Sequence, residues 1–333
     1  MVGVPCQSNG FLGPQGFTIN NSRLVLGMFA VRWSGSMRRG LTPTDLSSHV
    51  MNLAAPVTEA DCGAVTEIAP GVRRVLAPNP GRMTGPGTNS YLVGYQQVVV
   101  IDPGPAMPSH MAALVAAVGS ARLEAIAVTH THRDHSPAAL ALHRLTGAPR
   151  RGLIPRHLEH HDATFVADLP APDGTVLVTD AGSLRAVATP GHASNHLCWF
   201  HVETQLLFTG DHVLGTVSPV ILPPDGDMTE YLDSLQRLRG LAACAIAPGH
   251  GPVLADPEFA LASLLRHRQI RERKIISVLQ SVPSGMDALV HAVYDDVDPA
   301  LHNAARYTLL AHLIKLERDG RVQRCDDSWM LLP

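Results

Sequence analysis

Lysine is almost missing from this 333-residue chain: Lys274 and Lys315 stand alone, and arginine carries the rest of the positive charge. Aromatic residues make up only 5%, so no stacking platform for single-stranded nucleic acid stands out. The five cysteines (Cys6, Cys62, Cys198, Cys244 and Cys325) are odd in number, scattered, and form no Cys-x-x-Cys. That excludes a disulfide scaffold or a thiolate zinc site and suits a reducing compartment. No apolar run approaches the roughly 18–20 residues that cross a bilayer. The longest near the start, Leu24 to Val31, has eight. With no basic region at the extreme N-terminus, a secretory signal peptide is disfavoured and the cytoplasm is the expected compartment. The net charge of −3 gives no general affinity for polyanions.

What is plentiful is histidine, with 18 residues. They sit in a chain of three compositional segments. Residues 1–55 are rich in Gly, Ser and Asn, and four arginines precede the first acid, Asp45. They are read as a disordered extension, with an organelle transit peptide over residues 1–50, or a true start at Met51, as the alternatives. Residues 56–255 alternate short apolar runs with turn residues and occasional helices, predicting a mixed α/β domain. Expected strands are Thr88–Val93, Val98–Ile101, Ala125–Val128, Leu184–Ala188, Leu197–His201 and Leu206–Phe208. Expected helices are Ser109–Val118, Pro137–Leu145 and Met228–Leu238.

Residues 256–333 read as helix after helix. Asp256 and Pro257 open a long one to Val282. A second spans Gly285–Tyr294, and Asp298-Pro299 opens a third to Arg318. A turn at Asp319-Gly320 then leads into a hairpin over Arg321–Leu332, which completes a winged-helix pattern. Ten basic residues face eleven acidic ones in this tail, so it lacks the electrostatic footprint of a nucleic-acid binder. Arg266, Arg268, Arg271, Arg273 and Lys274 cluster on the long helix. They are read as a solvated face, with a rim for a phosphate-bearing substrate as the alternative.

Chemistry concentrates where apolar runs stop. Val128 leads into Thr129-His130-Thr131-His132-Arg133-Asp134-His135, which offers three imidazoles and a carboxylate within six residues. Imidazole and carboxylate are ligands for zinc and similar divalent metals. The same grammar recurs in Thr189-Pro190-Gly191-His192, Thr209-Gly210-Asp211 and Pro248-Gly249-His250. If these strand ends share one edge of the fold, seven ligands converge, as sites do in α/β architecture.

His-x-His-x-Asp-His followed in order by His, Asp and His resembles the metallo-β-lactamase superfamily. The resemblance implies an αβ/βα sandwich with two divalent metal ions, zinc foremost, on one edge. It implies His130, His132 and His192 at the first metal, Asp134, His135 and His250 at the second, and Asp211 bridging. The family's chemistry uses a metal-bound hydroxide, with Asp134 as the catalytic residue that orients it and shuttles its proton. His196 is a candidate support behind the ligands or substrate contact, and Asn89 a candidate substrate contact; the other histidines are read as ordinary residues.

Within the superfamily, Gly87-Thr88-Asn89-Ser90-Tyr91, Ile101-Asp102-Pro103-Gly104, Pro248-Gly249-His250-Gly251-Pro252 and His267-Arg268-x-Ile270-Arg271-Glu272 resemble the lactamase-β-like branch. Its members include endoribonucleases and end in a winged helix, and the likeness spans roughly residues 65–330. Thr216–Ile221 departs from the branch's Gly-Thr-Thr stretch and puts ribonuclease activity in doubt. The expected function is metal-dependent hydrolysis of an ester or phosphodiester. The substrate is then a small-molecule ester or thioester, or single-stranded RNA, with no membrane partner and a homodimer as an option. A glyoxalase II-like thioesterase or a lactonase is the alternative, and a winged-helix nucleic-acid-binding regulator the reading from a different class.

Overall fold

The computed structural model describes residues 56–215 and 217–333. The expectations for residues 1–55 and for Thr216 fall outside these residues. Seven strands form the first sheet in sequential order: β1 (Val65–Ala69), β2 (Val72–Leu76), β3 (Asn89–Val93), β4 (Gln97–Ile101), β5 (Arg122–Ala127), β6 (Arg150–Gly152) and β7 (Leu169–Pro170). The first four pair antiparallel, and β4 to β7 run parallel. The second sheet holds β8 (Val176–Thr179), β9 (Gly182–Ala188), β10 (Leu197–His201), β11 (Leu206–Gly210) and β12 (Ala245–Pro248), in the order β12-β11-β10-β9-β8. Only its β11–β12 pair is parallel.

Strand periodicity decides how the layers stack. In β4, Val99 and Ile101 point into the core between the sheets, while Val98 and Val100 point outward. The outward pair packs against α1 (Pro108–Val118) and α2 (Ala138–Thr146) through Leu114 and Leu142. On β10, Leu197 and Trp199 face the central core. Cys198 and Phe200 face α3 (Met228–Arg239) and α4 (Pro257–Ser281) through Leu235 and Leu261. The central strands of both sheets are thus buried on both faces, which is the expected αβ/βα sandwich. Capping sets the starts of two outer helices: Asp227 accepts from Thr229 N and Glu230 N at α3, and Asp256 from Phe259 N at α4.

Beyond α4 come α5 (Met286–Val293), a 3₁₀ turn over Pro299–Leu301, and α6 (His302–Arg318). A small sheet joins β13 (Ser284–Gly285), which lies between α4 and α5, to β15 (Ser328–Leu331) and β14 (Val322–Cys325), in that spatial order. Leu289, Leu309, Leu313, Val322 and Trp329 form its own core with Ile275 and Leu279 from the end of α4. This is the winged-helix arrangement.

The solvated-face reading of α4 holds at Arg266 and Arg273, which are exposed, and is corrected at Arg268 and Arg271. Arg268 and Arg271 are only 2% and 4% exposed. Arg268 donates to Pro219 O, and Arg271 to Val293 O and Asp296. The segment after β11 and the tail cover that side of the helix, a tertiary contact that i, i+4 spacing does not encode.

Candidate metal centre

Four loops leave the C-terminal ends of β5, β9, β11 and β12, and they bring all seven sequence-predicted ligands together. His130, His132 and His192 form one group, and Asp134, His135, Asp211 and His250 another; within each, the potential ligand atoms lie within 4.8 Å of one another. In the first group, His130 Nε2 and His192 Nε2 lie 2.9 and 3.0 Å from His132 Nδ1. In the second, Asp211 Oδ1 is 3.3 Å from Nε2 of both His135 and His250, and Asp134 Oδ2 is 3.2 Å from His250 Nε2. The other oxygen of Asp211, Oδ2, lies 3.8 Å from His192 Nε2, so this carboxylate stands between the groups.

The backs of the rings fix which nitrogens face inward. Nδ1 of His192 meets Val220 O, Nδ1 of His250 meets Gly87 O, and Nδ1 of His135 meets Asp102 Oδ2. Each is a pure acceptor, so Nδ1 carries a proton and Nε2 offers its lone pair to the cluster when the ring is neutral. Asp102 is itself held by Thr129, whose N and Oγ1 donate to its two oxygens.

Charge and burial explain why these groups fit a divalent cation. Burial, with neighbouring imidazoles, keeps His130 and His132 well below the usual histidine range, so both are neutral donors of an electron pair. Burial also disfavours the cation at His250, but Asp211 and Asp134 outweigh it and push the group up to about 10. That half of the site therefore demands positive charge, which a proton or a metal ion supplies. His135 Nε2, His250 Nε2 and Asp211 Oδ1 are buried without a hydrogen-bond partner, as expected of side chains shaped to bind an ion.

Glycine permits the close packing. A Cβ on Gly249 would lie 2.7 Å from both Asp211 Oδ1 and His135 Cε1. Gly191, at φ +137°, brings the His192 loop onto α3, where a Cβ would meet Tyr231 Cα at 2.3 Å.

The two expected substrate contacts are placed elsewhere. Asn89 is buried and spends its amide on Pro248 O and Gly251 O, clasping the His250 loop. His196 is buried behind the ligands, its Nδ1 on Thr189 Oγ1 and its ring 5.1 Å from that of His130. Both support the site from behind. Among histidines read as ordinary, His161 stacks on His132 with ring centroids 4.6 Å apart, held by Thr131 Oγ1 and Asp225 Oδ2. Neither its role nor that of Asp102 is legible in the sequence alone, although Ile101-Asp102-Pro103-Gly104 is a visible signal.

In front of the ligands lies a cavity of about 590 Å³ that reaches His132, Asp134, His192 and Asp211. Leu214, Val217, Val220 and Leu222 line one side, and Val297 and Leu301 of the tail another. Arg82, Arg133 and His160 also line it. The described part of the departing segment thus forms a cavity wall.

Comparison with known proteins agrees with this geometry. Residues 83–250 match the metallo-beta-lactamase superfamily model, and residues 286–329 the beta-lactamase associated winged helix domain. The chain belongs to the metallo-β-lactamase superfamily and is a hydrolase. It is similar to a beta-lactamase-like protein 2 homolog of Caenorhabditis elegans, 31% identical over 78% of this chain and 88% of that one. It is also similar to an atrochrysone carboxyl ACP thioesterase of Aspergillus fumigatus, 32% identical over 67% of this chain and 69% of the other. A metallo-beta-lactamase family protein of Thermus thermophilus shares the fold, with a TM-score of 0.66 at 23% identity over 80% of this chain and all of that one. No helix among the described residues is long and apolar enough to cross a membrane.

Proposed function

We propose that this hydrolase cleaves an ester or thioester whose acyl chain lies along the apolar wall of the cavity, using two divalent cations. Zinc is the metal proposed; the imidazole–carboxylate set serves iron and manganese as well. His130, His132 and His192 would hold one cation and Asp134, His135 and His250 the other, with Asp211 between them. When bound, such cations polarise a carbonyl oxygen and lower the pKa of coordinated water toward 7. The chain's own residues do the rest. Asp134 is the most exposed of the ligand carboxylates, with 29% of its side chain accessible, and it is held ionised as an acceptor for the attacking water. Burial works against its charge, but His135 and His250 bring it down to about 2. The apolar walls exclude water around the acyl chain and aim its carbonyl at the ligand edge.

The observation that carries this reading is the apolar lining of the cavity that reaches the ligand cluster, contributed by both the segment after β11 and the tail. A relative bearing a thioesterase name supports it. Single-stranded RNA is the second reading, favoured by Arg82 and Arg133 beside the cavity, although Leu214, Val217, Val220 and Leu222 offer bases nothing to stack on.

Metal content by elemental analysis, run beside turnover of an acyl thioester series and a labelled single-stranded RNA, tests the proposal. Two metals and thioester turnover are expected, with Asp211→Ala losing one metal and most activity. RNA cleavage alone, abolished in His132→Ala, overturns the thioester reading.

A further inference from the structure

The cavity carries a positive charge that the metal centre does not use. Arg268 is buried, lines the cavity, and has no carboxylate partner among the described residues. Its guanidinium lies 5.1 Å over the ring of Tyr231 and donates from Nη2 to Pro219 O, while its buried Nε has no acceptor. The neighbouring Arg271 is different, since both of its terminal nitrogens reach Asp296. Tyr294, 5% exposed, lines the same cavity, and its hydroxyl is likewise buried without a partner. A desolvated guanidinium without a counter-charge is costly, and so is a buried donor left unpaired. Here both costs fall on side chains lining one cavity. His267 cannot share the positive charge: burial and the two arginines hold it down to about 4, so it is neutral.

We propose that Arg268 and Tyr294 form a carboxylate-binding subsite for a second acid group on the substrate's acyl chain, remote from the scissile carbonyl. The inference rests on the reading of the cavity as an acyl pocket. It narrows the substrate class to ω-carboxyacyl esters or thioesters, with one end at the metal ligands and the other paired to the guanidinium. Charge-assisted hydrogen bonds of this kind are about twice as strong as neutral ones, and a guanidinium buried at a fixed place in the cavity would favour the chain length that reaches it.

The test uses the metal-loaded protein. N-acetylcysteamine thioesters of adipic, pimelic and suberic acids are compared with their neutral hexanoyl, heptanoyl and octanoyl counterparts by kcat/KM. Calorimetry compares binding of the free dicarboxylates with that of the monocarboxylates. At one chain length or more, the dicarboxylate is expected to bind about tenfold tighter than its monocarboxylate, roughly 1.4 kcal/mol, with a matching preference in kcat/KM. Tyr294→Phe should shrink that ratio several-fold, and Arg268→Gln should erase it. If Arg268→Gln does not fold, Tyr294→Phe carries the test.

Equal binding of mono- and dicarboxylates at every length overturns the subsite, as does a preference that survives both substitutions. A preference for coenzyme A over N-acetylcysteamine thioesters that Tyr294→Phe removes moves the anion to a leaving-group phosphate, and overturns the acyl assignment. If no thioester is hydrolysed, the acyl-hydrolase reading falls, while calorimetry still decides whether Arg268 and Tyr294 bind a carboxylate.

Discussion

Asp102 Oδ2 lies 2.9 Å from His135 Nδ1, and this contact turns His135 so that Nε2 faces Asp211 and Asp134. Asp102 sits at the end of β4 with φ +47°, an uncommon conformation for a residue other than glycine. Asp102→Ala should therefore weaken metal binding at the carboxylate-rich half by about 10–100-fold, the usual consequence of losing such a partner. Competition with a chromophoric chelator measures it. Unchanged affinity would mean that His135 keeps its orientation without help.

Gly249 makes a steric prediction. An alanine methyl there would stand 2.7 Å from Asp211 Oδ1 and from His135 Cε1, atoms that cannot retreat without leaving the cluster. Gly249→Ala should lower bound metal to one ion or fewer per chain and cut turnover at least tenfold, while circular dichroism stays native. Full metal content would show that the loop can move aside.

Leu301 tests the apolar wall without touching a ligand. It comes from the tail, lines the cavity, and is 41% exposed. Leu301→Ala should reduce kcat/KM for an octanoyl thioester by about fivefold and leave an acetyl thioester nearly unaffected, since each methylene contact in a pocket is worth about 1–3 kcal/mol and this half-exposed side chain supplies the low end of that range. Equal losses on both substrates would argue that the chain does not lie against this wall.

His110 predicts a pH dependence remote from the ligands. It is buried on α1, with Nε2 2.9 Å from Ser90 Oγ, and burial brings it down to about 4. Its folded value lies below the unfolded value near 6.5. The unfolded state therefore takes up the proton first, and stability present above pH 6.5 is lost as the pH falls toward 4. Full protonation costs on the order of 3 kcal/mol. The His110 ring resonances should stay in the neutral position from pH 7 to pH 5 by NMR. Titration near 6.5 would show that the ring is solvated.

Much of this architecture is legible before folding because ligands and strand ends share a grammar. Val128, Ala188 and Ala247 each precede a turn residue and then an imidazole, and all seven ligand candidates converge. Strands such as Leu197–His201 are apolar up to the closing histidine, buried throughout, and readable to the residue. β1 and β2 are not, since Glu67, Arg73 and Arg74 interrupt their pattern; β6 to β8 are too short to show one. The positions of Asn89 and His196 behind the ligands, and the burial of Arg268, depend on contacts between segments far apart in the chain. Spacing within one helix or loop holds no record of them.

Residue 88 forms an isolated bridge with His250, and Asn89 N donates to Gly249 O, so the first sheet is stitched to the second beside the ligands. His130 to His135 follow a strand of one sheet, whereas His192, Asp211 and His250 follow strands of the other. An ion held by both sets is a cross-link between the two halves of the sandwich. By mass action, its binding free energy adds to the stability of the whole domain. Metal supply would then govern how long the folded chain persists as well as how fast it works.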